Sequence, residues 1–570
     1  LVAVLSLTAA AYIGTVRFGF VYDDEGQILG NAYIQFWRHV PRYFISQVWS
    51  HIFPQLGGNF YRPFFLLWLR VNDACFGLNP KGWHAAALGL HLIATLLVYF
   101  IFRKLTANPS LAAMGALIFG LHPIHAEVVA WVSGATESLL AVFFLAGFLA
   151  YLKSRDGDSA IWMTVSCIFF ALSVFSKETG IVLPTLVFGH AWIYGAPNSQ
   201  AAESLTRRML RAVRVSLPYA PVALFYLFAR VLVLRGMGHP SNPSSWRTIV
   251  FTMPSMMAFY LKKWFLPIRL TEFYDMPYWS GWNFWHVFLP ALAVLACAAV
   301  LWLSRRWLGT RDLAFGALWV IVPLLPVMDV AVFPVDDTVH DRYFYLPSVG
   351  ASLIVALVID RLTRSKAVAA KPRLLPAYIL TFLVLGGSLA ALTSHESSFW
   401  VNDITMFGRA HTLAPKNPIA RNNFAVELAA LGDNDAARSI FEQAISVDSR
   451  DWAAYFNLGR ISYQERKYPE AEKWLLQANA LNHTAPDVYI DLGLVQLRTN
   501  RVPEALASMR RAVELRPNDP TYLFAYGVVL AQSGDCTAAR AQFREALDIR
   551  PGEGMTQLAM DRCEQIAPQR

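Results

Sequence analysis

Apolar runs long enough to cross a bilayer recur through the first 392 residues of this 570-residue chain and then stop. A helical crossing takes about 20 apolar residues, because hydrocarbon offers the backbone no hydrogen-bond partner and the segment must satisfy its own groups. Eleven crossings are predicted, near 1–17, 84–103, 109–121, 133–152, 159–175, 180–195, 216–234, 283–303, 313–330, 343–361 and 374–392. Charged residues make up only 16% of the chain, against about 25% in soluble domains, and the deficit lies in this region. The expected fold class is all-α, a polytopic membrane helical bundle over 1–393 followed by a separate helical domain over 394–570. With no basic leader or small-residue cleavage site, Leu1 to Val16 reads as the first membrane helix and not as a removable signal.

The loops set the orientation. Basic clusters occur at Arg103-Lys104, at Lys153 with Arg155, at Arg207 to Arg214, at Arg305 to Arg311 and at Arg361 to Arg373. A cytoplasmic N-terminus puts all five inside, as the positive-inside rule requires, provided 248–266 re-enters or lies along the surface. These clusters also account for the net charge of +9, so the charge points to topology and not to nucleic acid. The C-terminal domain is then expected outside, in a periplasm or a lumen.

The outward loops gather acids, bases and aromatics on one side. Phe20 to Asn31 carries Asp23, Asp24 and Glu25 in a row where the first crossing ends. Carboxylates are costly at such a boundary without a partner or a task. Arg62, His122, His125, Glu127, Lys177, Glu178, Asp275, Asp336, Asp337, His340, Asp341, Arg342 and Tyr343 map to the same side. A polar cavity at the outer leaflet accounts for that gathering better than an aromatic belt with solvated charges. His122, His125 and Glu127 have some of the look of a metal site, but Pro123 breaks the helix that would align two imidazoles, and no metal ligand is assigned.

After the last crossing, Ser394 to Pro415 reads as one helix, and then a 34-residue period appears. Ala437, Ala471, Ala505 and Ala539 keep the step, as do Phe441, Leu475, Met509 and Phe543, and Gly459, Gly493 and Gly527. This is the tetratricopeptide (TPR) pattern, four units forming a superhelix whose groove suits a protein or peptide. Ala410 and Phe407 sit 34 before Ala444 and Phe441, so 395–413 reads as half a repeat. Cys536 and Cys563 fall on adjacent antiparallel helices, where an oxidising compartment permits a disulfide.

Several stretches in order carry a resemblance: Phe20-Val21-Tyr22-Asp23-Asp24, Asn59-Phe60-Tyr61-Arg62-Pro63, Asn79-Pro80-Lys81-Gly82-Trp83-His84, His122-Pro123-Ile124-His125-Ala126-Glu127, Ser176-Lys177-Glu178-Thr179-Gly180 and Asp341-Arg342-Tyr343-Phe344-Tyr345-Leu346-Pro347-Ser348. With the repeat tail, the chain resembles the transmembrane and TPR-containing O-mannosyltransferases and their bacterial relatives, of the GT-C class of glycosyltransferases. The resemblance implies transfer of a hexose, mannose among them, from a polyprenyl-phosphate carrier to a hydroxyl, with inversion, on the outer face. It makes the first-loop acid the base, so Asp23 or Asp24 is the candidate, the other orienting the acceptor or holding the first in place.

A departing lipid phosphate calls for cations, and Arg62, Lys177, Arg342, His122 and His125 are the pool. Glu25, Glu127, Glu178, Asp275 and Tyr343 are expected on the acceptor side or in the cavity wall. GT-C relatives leave room for a loosely held Mg²⁺ or Mn²⁺ beside the first-loop acids. Membrane lipids and a protein acceptor in the repeat groove are the expected partners. Two other readings share the composition: a membrane-anchored TPR scaffold without catalysis, and a lipid-linked-sugar transporter. The second would place polar residues near the midplane of several crossings.

Overall fold

The computed structural model describes residues 1–50, 52, 58–157, 159–195, 204–236, 245–330, 337–364, 375–517, 519–550 and 553–566. Asp336 lies outside them. Every regular element among the described residues is helical. The chain divides into two compact units, Leu1–Ala414 and Pro415–Arg570.

In the first unit, caps set many helix starts. Asn79 accepts the Lys81 N–H ahead of the helix Pro80–Thr106, and Asn108 accepts those of Ser110 and Leu111 ahead of Pro109–Leu121. Each satisfies donors that the first helical turn leaves without partners, and a proline at the first helical position has no N–H to lose. Among the described residues, five helices are long and apolar enough to cross a membrane: Pro80–Thr106, Ala135–Ser154, Leu205–Leu234, Phe284–Leu308 and Thr310–Met328. A sixth arises if Pro109–Leu121 and Pro123–Ala130, bent by 52°, form one span. Fewer helices pass this test than the eleven expected, since Val2–Arg17 and Ala160–Ser176 are apolar but shorter. Phe284–Leu308 leaves Leu292, Leu295, Val300, Trp302 and Leu303 exposed, a surface that suits lipid and not water. The stretch expected to re-enter is a helix, Trp246–Phe265, with Pro254 inside it.

Close backbone approach holds two of these helices together. A Cβ on Gly350, in Pro347–Thr363, would run into the carbonyl oxygen of Gly316, in Thr310–Leu324. A helix predicted to run unbroken from Ser394 is in fact two. Leu375–Ser398 stops, and Asn402 caps a new helix, Asp403–Leu413, by accepting the Thr405 N–H. This second helix belongs to the membrane unit and is not half a repeat: Phe407 packs edge-on against Tyr22, and Asp403 accepts the Tyr22 N–H at 2.7 Å.

The second unit contains four helix pairs, from Pro418–Ala430 with Asn434–Val447 to Pro520–Gln532 with Cys536–Ile549, and a further helix, Gly554–Ile566. The periodic glycines face the periodic large residues. A Cβ on Gly459 would lie 2.7 Å from Leu475, on Gly493 2.9 Å from Met509, and on Gly527 2.5 Å from Phe543. The 34-residue step is therefore a packing requirement: the large side chain of one helix fills the space that glycine leaves on its partner.

Candidate active site

Tyr22 is the pivot of the first loop. Its φ of +54° is uncommon for a bulky residue. The strain is held by packing, with the Tyr22 ring against Trp131, Phe273 and Phe407 at 5.7 to 5.9 Å. Beyond it the chain makes one wide π-type turn, Glu25–Leu29, of the kind often found at functional sites.

The two aspartates after Tyr22 part company. Asp24 is fully buried and committed: it accepts the Val21 N–H at 3.2 Å, the Ser133 N–H at 2.8 Å and the Ser133 hydroxyl at 2.5 Å. Burial pushes its carboxyl up to about 7, against the pull of those bonds. Asp23 lines a cavity of about 250 Å³ together with Gln27, Arg62, Trp131, Ser133, Glu137, Lys177, Asp337, Arg342 and Tyr343. Burial raises Asp23 to about 7 as well, with Arg342 and Arg62 pulling down and Asp337 pushing up. Among the described residues its one hydrogen bond is a long one, 3.4 Å from the Gln27 amide.

Three cations reach this cavity from different parts of the chain, each fixed by an acid. Arg62 makes a two-pronged pair with Glu178, at 3.0 and 2.5 Å. That pair outweighs burial and holds Glu178 down at about 2. Lys177 donates to Glu137, both side chains being buried. Arg342 donates through Nη1 to Glu127 and to Glu272, the latter at 2.8 and 3.0 Å, while its backbone N–H bonds Glu127 at 3.0 Å. Among the described residues its Nε and Nη2 make no hydrogen bond. The Tyr343 ring lies 5.0 Å from the Lys177 ammonium and 5.2 Å from the Arg342 guanidinium, so one aromatic face helps hold two cations.

Behind Arg342 the acids balance one another. Burial raises Glu272 well above the usual carboxylate range despite Arg342, with Glu127 and Asp337 adding to the rise. Burial also works to raise Asp337, but His340, 3.1 Å away, and Arg342 outweigh it and hold it low. Glu127, Glu272 and His340 bring ligand atoms within 4.8 Å of one another, a set able to hold a metal ion. Arg342 Nη1 already lies against both carboxylates, so a dication there would face a fixed positive charge. The pocket as arranged fits the arginine and not the metal.

Over most of its length the chain is similar to curated proteins. Protein O-mannosyl-transferase TMTC3 of Mus musculus is 26% identical over 523 residues, covering 84% of this chain and 54% of that protein. Protein O-mannosyl-transferase Tmtc3 of Drosophila melanogaster is 25% identical, covering 82% and 57%, and TMTC4 of Homo sapiens is 26% identical, covering 73% and 62%. The chain is similar to the TMTC protein O-mannosyl-transferases. It spans a little over half the length of those TMTC relatives. Residues 422–486 and 490–554 match the tetratricopeptide repeat family. A solved repeat structure, a thermophilic TPR protein of Thermus thermophilus, is 22% identical with a TM-score of 0.27, covering 32% of this chain and 97% of that one.

Of the residues expected at the site, Asp23, Arg62, Lys177, Arg342 and Tyr343 share the cavity wall. Glu127 and Glu178 stand behind it as partners of the arginines. His122 and His125 are withdrawn from the phosphate-binding pool. His122 Nε2 meets the Trp264 carbonyl at 3.0 Å and its Nδ1 accepts the Ile124 N–H, while His125 Nε2 meets Ser348 at 2.9 Å. Both are buried, and neither lines the cavity. Glu25 and Asp275 are exposed and also lie off its wall. Glu137 and Glu272 were not anticipated. Glu137 sits in the first turn of an apolar crossing, where an acid is itself a signal; Glu272 is three residues from Asp275, in the same aromatic stretch.

Proposed function

We propose that this chain is an inverting O-glycosyltransferase that moves a sugar from a polyprenyl-phosphate carrier to a hydroxyl of a protein acceptor. The observation that carries the reading is the shared cavity: one loosely bonded carboxyl, Asp23, faces the same space as Arg62, Lys177 and Arg342. Asp23 takes the proton as the acceptor oxygen attacks the anomeric carbon. The bond from that carbon to the phosphate oxygen breaks on the opposite face, and the lipid phosphate keeps the electron pair. A carboxyl held near 7 is matched to proton transfer at neutral pH.

The cations lower the barrier by meeting charge that grows on the leaving phosphate. Their acid partners keep them in place before the donor arrives, so little reorganisation is left for the reaction itself. The mannosyl group is the expected sugar from the names of the TMTC relatives. The repeats would present the acceptor, and the cavity would open on the periplasmic or luminal side. Neither part of the mechanism needs a Mg²⁺ or Mn²⁺ ion.

The test is transfer in vesicles. The purified chain, reconstituted with polyprenyl-phosphate mannose and a Ser/Thr-rich acceptor protein, should release polyprenyl phosphate and mannosylate the acceptor in equal amounts. Unchanged donor and acceptor would support the scaffold reading.

A further inference from the structure

In the repeat unit, Cys536 opens the helix Cys536–Ile549 and Cys563 lies in the last turns of the helix that follows, Gly554–Ile566. Two helices running in opposite directions thus bring their distant ends together. Both cysteines are buried, at 8% and 2% exposure, in one apolar cluster with Leu530, Ala539 and Phe543. Burial pushes the Cys563 thiol up to about 11, with Cys536 beside it in the cluster adding to the rise. No other cysteine of the chain shares this cluster: Cys75, Cys167 and Cys297 all belong to the membrane unit. Both are free thiols, and apolar surroundings keep an isolated thiol inert.

We propose that Cys536 and Cys563 are oxidised to a disulfide that fastens the final helix to the last repeat. One S–S bond forms. Two protons and two electrons pass to the disulfide of an oxidised thiol–disulfide oxidoreductase, which leaves as a dithiol, by way of a mixed disulfide. The terminal helix of a repeat array has a neighbour on one side only, so a covalent tie there restrains the element with the least packing. The inference rests on the outward placement of the array under the proposed function, since such bonds persist in oxidising compartments.

The experiment is thiol counting on the full chain, quenched in acid at lysis so that thiol–disulfide exchange stops and no thiol is blocked before the count. Denatured without reductant, the chain should take up N-ethylmaleimide at three cysteines, and after reduction at five. Peptide mapping should place the two additional labels on Cys536 and Cys563. Five labels without reductant overturn the disulfide. A C-terminal alkaline phosphatase fusion then separates the causes: an active fusion leaves the array outside and sinks only the disulfide, while an inactive one sinks the outward topology too. A C536S variant should lose the reductant dependence and expose Cys563 to labelling.

Discussion

Asp24 and Ser133, 109 positions apart, are joined twice: the serine donates its backbone N–H at 2.8 Å and its hydroxyl at 2.5 Å to one carboxylate oxygen. This joint ties the first loop to the turn ahead of the helix Ala135–Ser154, and so fixes Asp23 relative to Glu137 and Lys177. Asp24→Ala should leave the Val21 and Ser133 donors buried and unpaired, at about 1–3 kcal/mol, and abolish transfer. Asp24→Asn keeps an acceptor oxygen and should retain more of both. Thermal unfolding in detergent alongside transfer rates checks the order.

Arg342 should tolerate no neutral replacement. Arg342→Met leaves buried Glu127 without its cation, a change of about 3–5 kcal/mol. Arg342→Lys keeps the charge but not a contact to both Glu127 and Glu272, and should fold yet transfer at least tenfold more slowly. Melting temperature and transfer rate, measured on the same preparations, separate the two effects.

The rate should depend on pH through the first-loop acids. Asp23 is raised to about 7, so below that pH it carries a proton and cannot accept another. Transfer should therefore fall below about pH 7, approaching tenfold per pH unit on this account alone, and level off above it. Asp24 is raised to a similar value, and its protonation weakens the bonds from Val21 and Ser133, which steepens the acid limb. The rate of Asp24→Asn, followed from pH 5 to 8, should show the shallower single-proton limb.

The membrane bundle has a steric weak point at Gly350. Its Cβ would collide with the Gly316 carbonyl, a backbone atom with no rotamer to move. Gly350→Val should reduce the yield of folded protein, while Gly386→Val, where a Cβ meets nothing within 4 Å, should not. Fluorescence-detected size exclusion of tagged variants distinguishes them.

The repeat array was legible in sequence because its period is a packing rule, Gly459 against Leu475 and its equivalents. The first-loop acids and Arg62, Lys177 and Arg342 were legible because charge beside hydrocarbon is costly. Hydropathy does not say where a side chain turns. Asp23 and Asp24 look alike in sequence, and only the turn after Tyr22 sends one into the cavity and the other to Ser133. His122 and His125 looked like phosphate ligands until the bend after Leu121 committed them to Trp264 and Ser348. Glu272 was passed over for Asp275 because burial, which separates them, has no signature in a run of aromatics.

The central claim is that Asp23 is the base, and transfer by Asp23→Asn tests it most directly. In vesicles loaded with polyprenyl-phosphate mannose, the variant should fold with an unchanged melting temperature, bind donor, and transfer about 10²–10⁴-fold more slowly than the parent chain. A variant within a few-fold of the parent rate would contradict the account.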